Sequence, residues 1–215
     1  VNNWVALMGW SYDDKTEFFT MQDLIEKFSI AKLNPNPSAI NFSKLDHFNG
    51  LHIRDLAVED LARRVQPYFK RVGLEADMDT LLKIAPIIQV RMKTLDEAPE
   101  VAGFFFREEV IPAVEELVQK KMTPQQALAV AKRATEILEA ATAMTHDVAE
   151  APMRDLVEEL DLKAGQVFGV VRVAVTGQRV SPPLFESMEI IGKPTVIQRM
   201  RQAIELLEEL VATEA

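Results

Sequence analysis

The chain has 215 residues, 48% hydrophobic and 27% charged, with a net charge of −9 and no cysteine. Such values describe a folded globular protein with one large core or two to three small ones, and they exclude disulfides and thiolate metal sites. No apolar run is long enough to cross a bilayer and no basic, apolar leader opens the sequence, so a cytoplasmic protein without a membrane partner is expected.

In chain order, helix signals dominate. Thr20 stands three residues before Asp23, and Leu24, Ile25 and Phe28 follow at helical spacing, which predicts a capped helix. Asn34-Pro35-Asn36-Pro37-Ser38 reads as a loop. Pro67 within Ala57 to Val72 and Pro86 within Asp79 to Lys93 interrupt helical patterns and predict kinks or breaks. Boundaries are expected near Asp55 and between Gly103 and Glu109, where Phe104-Phe105-Phe106 meets Arg107-Glu108-Glu109. Thr123-Pro124-Gln125-Gln126 supplies a cap, a first-turn proline and a Gln at the third helical position, and Leu128, Ala131, Ile137 and Leu138 continue as one stripe. Val167 to Val175 is rich in Val, which alone favours a strand. With no second strand to pair with, it is assigned to a helix. The last helix opens after Gly192 with Val196, Ile197, Met200, Ile204, Leu207 and Val211 on one side and Arg199 and Arg201 assigned to the other.

The acidic total argues against nucleic acid, because phosphate neutralisation needs clustered Lys and Arg. Averages hide a cluster: from Lys163 to Arg201 there are six basic residues against two acidic ones. Within this stretch Gly177 permits a sharp turn, Arg172 and Arg179 supply donors, and Ser181-Pro182 can cap a helix beginning near Pro183. Pro182, Leu184 and Phe185 offer stiff apolar surface for an unstacked base. On this chemistry a single-stranded RNA pocket and an ordinary capped helix connection both stay open. Arg199 and Arg201, near the start of the last helix, are expected on phosphates. His47 and His52 are five apart with no carboxylate at a ligating offset, so no metal site is expected. Phosphate-cradling loops and nucleophile elbows do not occur. Trp4, Trp10 and the phenylalanine triplet are assigned to packing.

Four motifs carry a resemblance. They are Asn3-Trp4-Val5-Ala6-Leu7-Met8-Gly9-Trp10-Ser11; Lys44-Leu45-Asp46-His47-Phe48-Asn49-Gly50-Leu51-His52-Ile53-Arg54; Arg91-Met92-Lys93-Thr94-Leu95; and Arg172-Val173-Ala174-Val175-Thr176-Gly177 followed by Ser181-Pro182-Pro183-Leu184-Phe185-Glu186. In this order the chain resembles the C-terminal part of bacterial glutamyl-tRNA synthetases. The resemblance implies an all-α fold: the end of a stem-contact region over 1–55, then a helical anticodon-binding cage in two subdomains, 56–103 and 104–215. It also implies an upstream catalytic domain that uses ATP and Mg²⁺, so that this chain alone, without cofactor, is inactive. The implied partner is glutamate tRNA, with no DNA partner and a monomeric state. Arg172, Ser181, Pro182 and Leu184 match positions at the first two anticodon bases, Arg91 the position facing the third, and Arg154 another contact. Thr176, Arg179 and Phe185 join them as candidates from the same loop, while Lys44, His47 and Arg54 fall in the stem-contact motif. His47 stands where the family usually has Trp, and Val170-Val171 where it has Pro-Leu. A helical protein-interaction module without RNA affinity is the competing reading.

Overall fold

Two capping boxes set the register of the helices they open. Thr20 and Asp23 exchange hydrogen bonds at the start of α2 (Met21–Lys27), and Thr123 and Gln126 do so at the start of α8 (Pro124–Ala140). The computed structural model describes residues 1–36 and 40–214. Its remaining α-helices are α1 (Asn2–Leu7), α3 (Phe42–Arg54), α4 (Val58–Arg71), α5 (Met78–Gln89), α6 (Ala98–Ala102), α7 (Val114–Leu117), α9 (His146–Glu159), α10 (Ala164–Thr176), α11 (Leu184–Ile191) and α12 (Lys193–Glu214). Short 3₁₀ turns lie at Ile30–Lys32, Leu95–Glu97 and Gly103–Phe105. Among the described residues there is no strand, only a single antiparallel bridge between Trp10 and Leu33. The fold is all-α, as expected. Of the loop expected at 34–38, Asn34 to Asn36 is non-helical, and Pro37 and Ser38 lie outside the described residues.

The Val-rich stretch is helical, α10, with Val167, Val170, Val171, Val173, Ala174 and Val175 all buried. Burial on nearly every side explains the strand-like composition, because a helix enclosed by others needs no polar face. Pro67 and Pro86 sit inside α4 and α5 without splitting them, which corrects the expectation of breaks. Both prolines are exposed, so water can reach the carbonyls they leave without an intrahelical donor. Pro152 is accommodated at an exposed position of α9 in the same way.

Three apolar clusters hold these helices. Trp10, Phe19 and Leu24 form a small aromatic one near the start, with the Trp10 and Phe19 rings meeting edge to face at 5.3 Å. Leu61, Val65, Phe69, Leu81, Ile84 and Ile88 join α4 to α5. The largest, drawn from α7 to α12, has Val130, Leu138, Leu156, Val170, Met200 and Leu207 at its centre. Burial of each such Leu or Val side chain contributes about 1.5–3 kcal/mol. Ile190 of α11 packs on the second cluster while Leu184, Phe185 and Met188 of the same helix belong to the third, so α11 bridges the two.

Candidate functional site

α10 ends where Gly177 turns left-handed at φ 70°, and its amide donates to the Val173 carbonyl. A Cβ at Gly177 would fall 2.8 Å from Cγ1 of Val110, so glycine serves both the turn and the close approach. The chain then doubles back over α10. Arg172 Nη1 donates to Ser181 Oγ at 2.7 Å and to the Pro182 carbonyl at 3.0 Å. Thr176 Oγ1 donates to the Arg172 carbonyl and accepts from the Gln178 amide. Gln178 Nε2 reaches the Glu100 carbonyl at 2.6 Å, 78 residues earlier in the chain. The loop between α10 and α11 is thus held from both sides.

Between this loop and α6 lies a cleft of about 550 Å³ lined by Arg91, Glu100, Val101, Glu116, Gly177, Gln178, Arg179, Val180 and Ser181. Arg91 is exposed and its side chain makes no hydrogen bond or ion pair among the described residues; the pairing with Asp96 or Glu97 that its sequence allows is not formed, and Glu97 instead accepts from the Lys93 amide. Arg179 donates to the Glu115 carbonyl at 3.3 Å and approaches the Glu116 carboxylate only at 3.9 Å. Arg172 stands behind Ser181 without a carboxylate, and its pKa is lowered first by burial and second by the like charge of Arg91. Arg91 and Arg172, both without a carboxylate partner, leave guanidinium donors at the cleft that the protein's own acids do not take up.

Among the residues proposed from sequence, Arg91, Arg179 and Ser181 meet at this cleft, with Arg172 and the buried Thr176 supporting the loop. Three others point elsewhere. Pro182 is buried, and Leu184 and Phe185 are 5% and 8% exposed in the third cluster, Phe185 lying edge-on to His146 and Phe168. Their expected role as an open apolar platform for a base is corrected, because core packing takes up those faces. Ser181 does not cap α11, whose N-cap is Pro183; its hydroxyl serves Arg172 and the Pro182 carbonyl. Arg154 lies on α9, engaged twice by Glu150 at 2.6 and 2.9 Å, and does not line the cleft. Arg199, expected on a phosphate, is 2% exposed. Arg201 is exposed but paired with Glu139 at 2.6 Å. On α3, His47 and Arg54 are two helical turns apart and exposed, while Lys44 pairs with Glu17 at 2.8 Å and sits over the Phe48 ring.

Sequence reasoning missed Gln178, Glu100 and Glu116 at the cleft and the burial of Arg199. The last had a signal: position 199 falls three after Val196 and four before Ala203, on the apolar stripe of α12. Among the described residues no three His, Asp or Glu side chains are placed to hold a metal ion, and no helix is long and apolar enough to cross a membrane.

Comparisons with known proteins bear on the fold and the family. A glutamate–tRNA ligase of Roseiflexus sp. (strain RS-1) is 43% identical over 207 residues, covering 94% of this chain and 41% of the relative. That of Borreliella burgdorferi is 35% identical, covering 95% of this chain and 43% of the relative. The chain therefore spans about two fifths of the length of these relatives. A crystal structure of a glutamate tRNA ligase from Elizabethkingia meningosepticum superposes with a TM-score of 0.78 at 22% identity, over 95% of this chain and 40% of that one, and shares its fold. Residues 60–204 match the family of anticodon binding domains, and the chain belongs to that family.

Proposed function

We propose that the chain is the tRNA-binding part of a glutamate–tRNA ligase, and that the cleft between α6 and the α10–α11 loop takes the anticodon of glutamate tRNA. In the longer protein, attachment of glutamate at the expense of ATP, with Mg²⁺, would fall to residues outside this chain. The observation that carries the reading is that Arg91 at the cleft and Arg172 behind it have no carboxylate partner, the Arg91 side chain being wholly unpaired. Glu100 and Glu116 line the same cleft. Guanidinium donors beside carboxylate acceptors suit the edge of a heterocycle, which offers both kinds of group, better than they suit a phosphate.

In this reading Arg91 faces the third anticodon base, Arg179 and Ser181 the first two, and Arg172 and Thr176 hold the loop. Pro182, Leu184 and Phe185 act by packing the loop's base, and Arg154 is a peripheral contact once it leaves Glu150. Lys44, His47 and Arg54, on one side of α3, meet the RNA stem. Residues 1–55, 56–103 and 104–215 form the stem-contact end and two anticodon subdomains; the three apolar clusters fall mainly one in each, with Ile53, Phe105, Phe106 and Ile190 joining the second from either side. A monomer in the cytoplasm fits these roles.

The test is retardation of tRNA by the pure chain at moderate salt. Glutamate tRNA should shift and an unrelated tRNA should not. Equal retardation of both, or of neither, overturns the reading and leaves a helical protein-interaction module as the alternative.

A further inference from the structure

Arg199 projects from α12 into the interior, and its two terminal nitrogens are held by backbone carbonyls instead of acids. Nη1 donates to Val175 at 2.8 Å; Nη2 donates to Phe104 and to Arg107, both at 2.9 Å. Those carbonyls belong to the last turn of α10, before the Gly177 loop, and to the segment that joins the second apolar cluster to the third. One side chain therefore fixes three stretches separated by 24 and 95 residues.

The surroundings make this choice of residue informative. Val196, Met200 and Ala203 flank Arg199 on the same buried stripe, so an apolar side chain would continue the core. A guanidinium there must be desolvated without a counter-ion, which pushes its pKa down to about 10 while leaving it charged at neutral pH. Its Nε has no hydrogen-bond partner. Burying a charge this way is an inefficient source of stability compared with apolar packing. What it supplies is geometry: a planar fork with fixed donor directions that an aliphatic side chain lacks.

We infer that Arg199 is a positioning residue for anticodon discrimination, a pin that fixes the α10–α11 loop relative to the 78–107 region and so sets the spacing of Arg179 and Ser181 from Arg91 across the cleft. The inference rests on the anticodon reading of that cleft. Gln178 reinforces the pin from the solvent side through the Glu100 carbonyl. Loss of the pin leaves every cleft side chain in place but lets the two walls drift, and contacts that must be met together weaken with misplacements of about 1 Å.

The experiment uses the full chain, whose lack of cysteine allows spin labels at Lys83→Cys on α5 and Glu158→Cys on α9, both exposed. Pulsed EPR distances and binding of glutamate tRNA against the same tRNA with its third anticodon base changed are compared for Arg199, Arg199→Lys and Arg199→Met. The wild-type chain should give one narrow distance. Both variants should keep the helical far-UV signal, broaden the distance distribution and lose discrimination, about tenfold for Arg199→Met, the value of one positioned base contact. Arg199→Lys should fall between, because a single ammonium cannot span three carbonyls as the fork does. Should Arg199→Met not fold, Arg199→Lys decides by the same two readouts. An unchanged distance width and discrimination in Arg199→Lys, or a loss of affinity equal for both tRNAs, overturns the inference. If the wild-type chain itself fails to distinguish the two tRNAs, the anticodon reading fails and the distance arm alone judges the pin.

Discussion

Two grooves of nearly equal size divide their basic residues into different kinds. The first, about 580 Å³ between the end of α8 and the start of α12, is lined by Lys193, Arg201, Glu139 and Glu205 among others. There Lys193 Nζ caps α8 by donating to the Glu139 and Ala141 carbonyls, and Arg201 closes on Glu139. The cations have found their partners at the end of a helix, where the macrodipole also favours positive charge. In the second, at the α10–α11 loop, Arg91 has no partner, Arg179 meets its acid only at 3.9 Å, and Arg172 is spent on a hydroxyl and a carbonyl. Equal volume and similar composition conceal opposite states. Arg172, partly buried with no acid beside it, carries a desolvation cost, whereas Arg91 is exposed and its donors are free to meet an incoming acceptor.

The largest test of this contrast is Arg172→Ala. It removes the donor to Ser181 Oγ and Pro182 O, of which Pro182 O keeps the Ser181 hydroxyl, at a cost of about 1–3 kcal/mol in stability. We expect cognate tRNA to lose more affinity than an anticodon-swapped tRNA, by about 1–3 kcal/mol of discrimination. Chemical denaturation and paired binding curves check both numbers. Equal losses for the two tRNAs would show that the hold of Arg172 on the loop does not serve base reading.

Gly177→Ala should come next. A left-handed alanine costs about 1–2 kcal/mol, and its Cβ would press on Val110. The thermal midpoint should fall by about 2–8 °C, at about 2–4 °C per kcal/mol for a chain of this size, and tRNA binding should weaken as the loop shifts. Gly165→Ala is its control: nothing lies within 4 Å of a Cβ there, so the helical position should gain up to about 1 kcal/mol with tRNA binding unaltered.

The smallest effect is expected in the first groove. Arg201→Ala breaks one exposed pair, which contributes below about 1 kcal/mol. Discrimination between tRNAs should stay the same, and the salt slope of binding should change by less than about one unit. A loss of discrimination on Arg201→Ala would erase the distinction between the two grooves.

How far the sequence foretold this differs by level. The helices were legible where caps and stripes were explicit, at Thr20, Thr123 and the apolar side of α12, because local hydrogen bonding and a 3.6-residue period leave direct marks. Pro67 and Pro86 left a kink and a break both open, since exposure to water is a tertiary fact that decides whether a helix tolerates a proline. The loop's chemistry was legible in residue types and not in their directions: Leu184 and Phe185 suit a base-stacking platform and a core equally, and only the neighbours His146 and Phe168 settle which. Arg199 was assigned to solvent because charge outweighed its place on the stripe. Glu100 and Glu116 were hidden for a different reason, lying 60–80 residues from the loop they face, a separation that no local pattern encodes.

The central claim, that the unpaired arginine at the cleft reads the anticodon, is tested most directly by Arg91→Gln. Nothing in the folded chain bonds to the Arg91 side chain, so the variant's stability should stay within about 0.5 kcal/mol of the wild type. The measurement is competitive binding of glutamate tRNA against glutamine tRNA, whose anticodons differ at the third base, at one fixed salt concentration. The account predicts a wild-type preference for glutamate tRNA that relaxes by about tenfold or more in Arg91→Gln. Equal wild-type affinity for the two tRNAs, or an undiminished preference in the variant, would contradict it.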